Sequence, residues 1–196
     1  MASETQIAKL ALQHIGDRYD ITDLSEESVE AEQVNLIFDD TRDAMLRQHP
    51  WGFAKKFATP AALTGTVPNN YDYMYTYMTD AVRVLGVVDP LDAGTKIDFE
   101  VARNSSDVKV ILTDQQDAEF YYTARITNTA QFDPEFVMAL SYALAAKLAM
   151  PLTGDRTIMG DMDTLARNVV NSAWETDSNE GVSDDPPDAD WIQARA

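Results

Sequence analysis

The hydrophobic pattern of this chain changes its period twice, and this change constrains the fold more than any other feature. Up to about residue 50, and again after residue 133, apolar residues recur every three or four positions, as on one side of a helix. Between residues 63 and 129 they alternate with polar residues, as along a strand with one covered face. The sequence therefore predicts helices at both ends of the chain and a β-rich insertion between them.

Two helices are predicted before the insertion. The first begins with Ser3 as its N-cap and ends at Gly16. The second opens at Ser25, with Ser28 as an alternative N-cap, and ends before Pro50. The buried stripe of this second helix is predicted to comprise Ala31, Val34, Ile37, Phe38, Thr41 and Met45.

Five short segments of the insertion have the pattern of strands, and turn-forming residues separate them. These segments read YDYMYTYM, AVRVLGVVD, KIDFEVA, DVKVILT and AEFYYTARI. They predict one small, mostly antiparallel sheet.

Two further helices are predicted after the insertion. Asp133 is placed as an N-cap and Pro134 at the first helical position, while Pro151 is expected to stop that helix. The last helix is predicted over residues 155–174.

Together these elements predict an α+β fold. A bundle of about four helices, drawn from the N- and C-terminal parts, carries the inserted antiparallel sheet and an extended acidic C-terminal tail. The predicted boundaries are 1–62 for the N-terminal helices, 63–130 for the insertion, 131–176 for the C-terminal helices and 177–196 for the tail.

Four tyrosines in the first strand segment alternate strictly with other residues. They are Tyr71, Tyr73, Tyr75 and Tyr77, and a strand would point all four rings to one face. Tyrosine combines an apolar ring with a polar tip, so the row suits either a core-packing strand or a contact with another protein subunit. Both interpretations stay open at this stage.

A second group of aromatic residues follows the second helix. Trp51, Phe53 and Phe57 lie within seven residues of each other. We expect them to form one compact structural cluster at the junction between the helices and the sheet.

The charge balance narrows the classes of function. The chain has 33 acidic and 15 basic residues, a net charge of −18. Tight binding to nucleic acid needs clustered Lys and Arg, and so does binding to an anionic membrane, so neither is expected. No segment approaches the roughly 20 apolar residues of a membrane span, so we expect no membrane association.

The C-terminal tail differs from the rest of the chain. From residue 175 it carries seven acidic residues before Trp191 and no basic residue before Arg195. Trp191, Ile192 and Arg195 include residue types that are enriched at binding hot spots, so they form a candidate binding segment. The alternative is a solvated tail in which the tryptophan has no role.

No pattern in the sequence indicates catalysis. His14 and His49, the two histidines, have the spacing of no metal motif and are expected to be structural or surface residues. The acidic runs do not fit a calcium loop, and there is no glycine-rich phosphate loop or nucleophile elbow. We therefore predict no catalytic residue, no metal site and no cofactor.

Five segments in order give the chain a resemblance to a known family. They are ALQHIG with ITDLSEES, then IFDDTRDAMLRQHPWGFAKK, YMYTYMTDAVRVLGV, FDPEFVMALSYALAAKLAMPLTGD and the closing DWIQAR. The chain resembles the tail tubular protein A group, the head-to-tail adaptors of short-tailed phages and related prophages. The resemblance spans nearly the whole chain, and HPWGFA with the closing tryptophan and arginine are its most specific parts. One departure is Met78-Thr79, where the family often has a proline before Asp80.

The resemblance implies a structural protein of the virion tail or neck, assembled in the host cytoplasm. Members of this family form a twelve-fold ring that joins the portal protein to a tail nozzle protein of the tail tubular protein B type and extends the DNA channel. DNA passes through that channel without specific binding. The resemblance gives the candidate sites two roles: Trp191, Ile192 and Arg195 would bind the portal, and the tyrosine row would contact a neighbouring subunit or the nozzle.

Two other functions remain open from the sequence. One is a head-completion or neck protein of a long-tailed phage, which would share a helix-rich core. The other, of a different class, is an acidic enzyme, for whose substrate pocket the sequence gives no signal.

Overall fold

The computed structural model describes residues 2–16, 20–68, 70–88 and 96–180, the last six of these as backbone. Within those ranges the chain forms four α-helices and six strands, which confirms the mixed α+β class. The helices are α1 (Glu4–Ile15), α2 (Val29–Gln48), α3 (Pro134–Thr153) and α4 (Arg156–Glu180). The strands are β1 (Lys55–Ala58), β2 (Tyr73–Thr76), β3 (Ala81–Val88), β4 (Phe99–Arg103), β5 (Lys109–Thr113) and β6 (Glu119–Ala124).

Helix α3 is the centre of the helical part, since α1, α2 and α4 all pack against it. Its sequence explains this position, because buried residues lie on several sides of the helix: Phe136 and Leu144 on one, Ala145 and Ala149 on a second, and Ala139 and Ala146 on a third. A helix that is apolar on most sides must be covered on most sides. The terminal helices therefore form one bundle, as their sequence pattern predicts.

The N-terminal ends of α1 and α2 are fixed by serine caps. Ser3 accepts a hydrogen bond from the Gln6 amide and Gln6 accepts one from the Ser3 amide, a complete capping box. In α2 the cap is Ser28, which accepts from the Ala31 amide at 3.2 Å. Ser25 is not the cap, because its hydroxyl and its amide both bond Asp23.

Helix α3 passes through Pro151, which was expected to stop it. Proline keeps a helical φ but removes the backbone donor that would bond the Lys147 carbonyl, so it weakens the last turn of α3, which other residues close. That closure comes from Gly154, whose φ of 71° is left-handed and whose amide donates to the carbonyls of Ala149 and Met150.

In the described part of the chain, α3 is also the one helix long and apolar enough to cross a membrane, by length and composition alone. This corrects the expectation that no segment approaches such a length. Half of its apolar window is buried inside the protein, and three helices pack on it. Such packing is typical of a core helix.

The insertion contains two small antiparallel sheets where one was predicted. Sheet A has the strand order β1-β6-β3, and sheet B has the order β2-β5-β4. The sequence pattern missed β1, which precedes the predicted start of the insertion and pairs with β6. The other five strands coincide with the predicted segments and each is shorter than its pattern, although β4 continues one residue beyond KIDFEVA, to Arg103.

The C-terminal helix is longer than predicted. Helix α4 continues to Glu180, so residues 177–180, which the sequence assigned to the tail, continue the helical backbone. Residues 181–196, with Trp191, Ile192 and Arg195, lie outside the described residues.

Candidate interaction surfaces

An aromatic cluster joins the bundle to the sheets. Trp51 is 1% exposed, and its Nε1 donates to the Met45 carbonyl at 3.1 Å. Its ring meets Phe136 edge-on, with centroids 5.0 Å apart. Phe53 packs against both Phe136 and Phe132, at 5.1 and 5.7 Å. We call Trp51, Phe53, Phe132 and Phe136 the aromatic joint.

Phe57 does not belong to this joint, contrary to the expectation of one compact cluster. It is 57% exposed and lies on β1, which begins at Lys55. Successive side chains of a strand point to opposite faces. The alternation that starts there directs Phe57 to the outer face of sheet A, where its ring lies 6.2 Å from that of Tyr121.

The outer face of sheet A carries two aromatic rings and two cations. Cross-strand pairing places Phe57 opposite Tyr121, and it places Lys55 and Arg83 on either side of Thr123. The Lys55 ammonium lies 5.6 Å from the Phe57 ring centroid and 5.2 Å from the Tyr121 centroid, within the range of a cation–π contact. We call Lys55, Phe57, Arg83 and Tyr121 the basic aromatic face.

Two further residues shape this face. Gly86 pairs with Tyr121, and a Cβ at Gly86 would come within 2.6 Å of the tyrosine Cε1. The glycine thus leaves room for the Tyr121 ring to lie across β3. Thr123 is 1% exposed, and its Oγ1 has no hydrogen-bond partner among the described residues.

The tyrosine row is divided by the structure. Only Tyr73 and Tyr75 lie within β2. Tyr73, Tyr75 and Tyr77 contact the main core, whereas Tyr71 packs with a separate small cluster around Met74 and Leu112 on the opposite face of sheet B. The four rings therefore do not share one face, because β2 begins after Tyr71.

Tyr75 is a structural residue of this row. It is 2% exposed, its hydroxyl donates to the Gln115 carbonyl at 2.9 Å, and it accepts from the Ala118 amide at 3.3 Å. Its ring meets Phe120 edge-on at 5.5 Å. A side chain so enclosed has no surface for a neighbouring subunit or a nozzle, which corrects its place in the candidate contact. Tyr71, Tyr73 and Tyr77 are half-buried.

The outer side of α2 is acidic and exposes two large apolar residues. Leu36 is 71% exposed and Val29 is 62% exposed, two helical turns apart on one side. Glu32 and Asp40 lie four residues to either side of Leu36 and are exposed. We call Val29, Glu32, Leu36 and Asp40 the acidic helix face.

Neighbouring carboxylates on α2 are already paired. Arg42 is buried, and its guanidinium reaches Asp39 and Asp43 at 2.8 Å each. Asp43 also pairs with Arg125, which follows β6, at 2.6 Å. These contacts tie α2 to sheet A, whereas the exposed carboxylates of Glu32 and Asp40 are in no ion pair within the described residues.

A groove of about 390 Å³ lies between α2, α3 and α4. Its lining includes Ala143, Ala146 and Ala166, and it contains two cations, Lys147 and Arg167. Both cations have partners, because Lys147 donates to the Thr41 hydroxyl at 2.8 Å and Arg167 pairs with Asp163 at 3.0 Å. Neither cation of the groove is therefore free to bind a ligand.

The two histidines make structural contacts. His14 stacks on Tyr142 at 4.3 Å, its Nε2 lies 3.3 Å from the Ser141 hydroxyl, and burial lowers its pKa below the ordinary value. His49 is 3% exposed and meets Trp51 edge-on at 4.8 Å. Within the described ranges, no group of three or more His, Cys, Asp or Glu residues could hold a metal ion.

One polar network lies at the end of sheet A. The Tyr122 hydroxyl donates to Asp80 at 3.0 Å, and Lys56 pairs with the same carboxylate at 3.0 Å. Burial and the bond to Asp80 raise the pKa of Tyr122 to about 12. Burial alone would raise the pKa of Asp80, but the hydrogen bonds from Lys56 and Tyr122 outweigh it and lower that pKa. The network orders the turn before β3 and has the features of a structural site.

The sequence analysis missed the basic aromatic face. Its residues come from β1, β3 and β6, and only the pairing of these strands brings them together. The one local signal was the alternation of Lys55 with Phe57 in KKFA, which fits a strand with one basic and aromatic face.

Comparison with known proteins adds no assignment: neither the protein-family models nor the curated proteins include one that matches this chain.

Proposed function

We propose that this protein is a structural head-to-tail adaptor of a tailed phage. In this role twelve copies form a ring that binds the portal protein on one side and the tail nozzle protein on the other. The ring extends the channel through which DNA leaves the capsid, and the protein has no catalytic role. The proposal originates in the resemblance to the tail tubular protein A group.

The observation that carries the proposal is the position of HPWGFA, one of the two most specific resembling segments. It runs from the end of α2 through Trp51 and Phe53 to the start of β1, so it builds the joint between the bundle and sheet A. The resembling residues therefore lie where they shape the subunit, which is what a shared subunit architecture requires.

The charge of the chain also supports the proposal. A net charge of −18 per subunit gives a ring of such subunits a strongly negative lumen. Duplex DNA carries a negative charge about every 1.7 Å, so an acidic wall repels it and does not trap it. A basic wall would slow the passage of DNA.

The C-terminal segment is the proposed contact with the portal. Trp191, Ile192 and Arg195 combine an aromatic anchor, an apolar side chain and a guanidinium at the end of an acidic stretch. The acidic residues before them would keep the segment solvated until the portal binds it.

The test is to mix the purified protein with the portal encoded beside it and to image the product by electron microscopy. We expect a twelve-fold collar on the portal, to which the nozzle protein then adds. The absence of a complex over a range of salt concentrations, with both proteins folded, would exclude the adaptor function.

The tail contact has its own test. Trp191→Ala is expected to weaken portal binding by about tenfold or more, as for an aromatic hot spot. Val182→Ala, in the same segment, is the matched control and should bind as the parent chain does. If both variants bound the portal equally well, the tail would not be part of the portal contact.

A further inference from the structure

We propose that the basic aromatic face of one subunit binds the acidic helix face of a second copy of this chain. This inference rests on the proposed function, because it names the contact through which subunits of the ring join. It assigns a role to two surfaces that the fold of a single subunit leaves uncovered.

The two cations of the basic aromatic face have no carboxylate partner. Six other basic residues form ion pairs in the described part of the chain: Lys9, Arg42, Lys56, Arg103, Arg125 and Arg167. Lys55 and Arg83 form none there, although the chain has more than two acidic residues for each basic one. Exposed cations without a carboxylate partner, beside the exposed Phe57 ring, suit the binding of an acidic partner.

The same face contains an apolar area that a partner would cover. Phe57 is 57% exposed, and the Tyr121 ring extends the apolar area beside it. Thr123, which lies between Lys55 and Arg83, is already buried within the subunit, so the contact would be made by the rings and the cations around it.

The acidic helix face has the complementary composition. Leu36 and Val29 offer an apolar strip, and Glu32 and Asp40 provide the negative charges beside it. Neither carboxylate is in an ion pair within the described residues, since Arg42 is bound to Asp39 and Asp43. Leucine and phenylalanine would then meet at the centre, with the opposite charges at the rim.

A second copy of the chain is the occupant that these surfaces favour. Both faces belong to one chain but differ from each other, so their contact is head-to-tail, the kind that closes into rings. The net charge of −18 opposes self-association, and the exposed cations Lys55 and Arg83 offset that repulsion at this face. The same net charge opposes a nucleic acid on this face.

Cysteine cross-linking tests the contact directly, because the chain contains no cysteine. One preparation carries Leu36→Cys and a second carries Phe57→Cys; they are mixed under mild oxidation, with and without the portal. We expect the mixed disulfide to form about tenfold faster or more than in the control pair, Leu36→Cys with Val108→Cys. Val108 is 51% exposed and lies outside both faces.

Charge reversal tests the same contact without cross-linking. Lys55→Glu with Arg83→Glu should weaken ring assembly by about tenfold or more, and so should Glu32→Lys with Asp40→Lys. Mixing the two double variants should restore assembly, because the new glutamates of one variant then face the new lysines of the other. The two variants would alternate around the ring, which a twelve-fold ring permits because its number of subunits is even. Lys96→Glu with Arg156→Glu gives the same change in net charge as the first variant and should assemble normally.

The outcomes separate this inference from the proposed function. A collar on the portal without the Leu36–Phe57 disulfide overturns the contact and leaves the adaptor function standing. The disulfide without a collar supports the contact and excludes the adaptor function. Two other results also overturn the contact: a disulfide from Trp191→Cys to Phe57→Cys in place of Leu36→Cys, or single-stranded DNA binding that Lys55→Glu with Arg83→Glu abolishes.

Discussion

The aromatic joint and the basic aromatic face share one short stretch of sequence, residues 51–57, yet its rings meet different environments. Trp51 and Phe53 precede β1 and are enclosed by Phe132 and Phe136. Phe57, within β1, is 57% exposed. Aromatic composition alone therefore does not identify an interface, because the position at which strand alternation begins decides which rings are covered.

The largest effect is expected in the joint. Trp51→Ala removes a fully buried ring and leaves the Met45 carbonyl without its donor. We expect a loss of about 3–5 kcal/mol in the free energy of unfolding. Urea denaturation measures it, and a loss below about 1 kcal/mol would contradict the structural role of the joint.

The next effect concerns the tyrosine row. Tyr75→Phe removes a buried hydroxyl that bonds Gln115 and Ala118, which should cost about 1–3 kcal/mol. Tyr73→Phe is the matched control, because the Tyr73 hydroxyl makes only a long, exposed contact of 3.4 Å with Gln116. If both variants unfolded at the same urea concentration, Tyr75 would not be the anchor of the row.

A smaller effect depends on pH. Burial lowers the pKa of His14 in the folded protein, so the folded state binds fewer protons than the unfolded state. The stability that neutral His14 contributes is therefore present above its unfolded pKa of about 6.5 and is lost as the pH falls below that value.

The check is a comparison of urea midpoints at about pH 7.5 and about pH 5.5 for the parent chain and for His14→Gln. The parent should lose more stability on acidification than the variant, whose side chain does not titrate. An equal loss in the two chains would show that His14 does not titrate with folding.

The smallest effect on stability is expected on the outer face of sheet A. Phe57→Ala removes a ring that is mostly in water, so the free energy of unfolding should change by about 0.5 kcal/mol or less. Ring assembly should nevertheless weaken, since the same ring is the proposed centre of the subunit contact. A large loss of stability would instead show that Phe57 belongs to the core, as Trp51 does.

Much of the helical part was predictable because its signals are local. Ser3 marks a helix start through its side-chain cap and Pro134 through its fixed φ, and the burial of α2 follows its 3.6-residue period. The choice between Ser25 and Ser28 was not predictable, since both are good caps. It was decided by Asp23, which binds Ser25 and leaves Ser28 to cap α2.

The sheets and the candidate surfaces were less predictable because they depend on pairing between distant segments. Period-two alternation located five strands but gave neither their partners nor the division into two sheets. It also left the start of β1 and β2 unmarked. Those starts decide that Phe57 faces outward and that Tyr71 leaves the row.

The adaptor function and the subunit contact are tested most directly by electron microscopy of the protein mixed with its portal. We expect a twelve-fold collar in which Phe57 of each subunit contacts Leu36 of its neighbour. Two folded proteins that form no collar at any salt concentration would contradict the adaptor function.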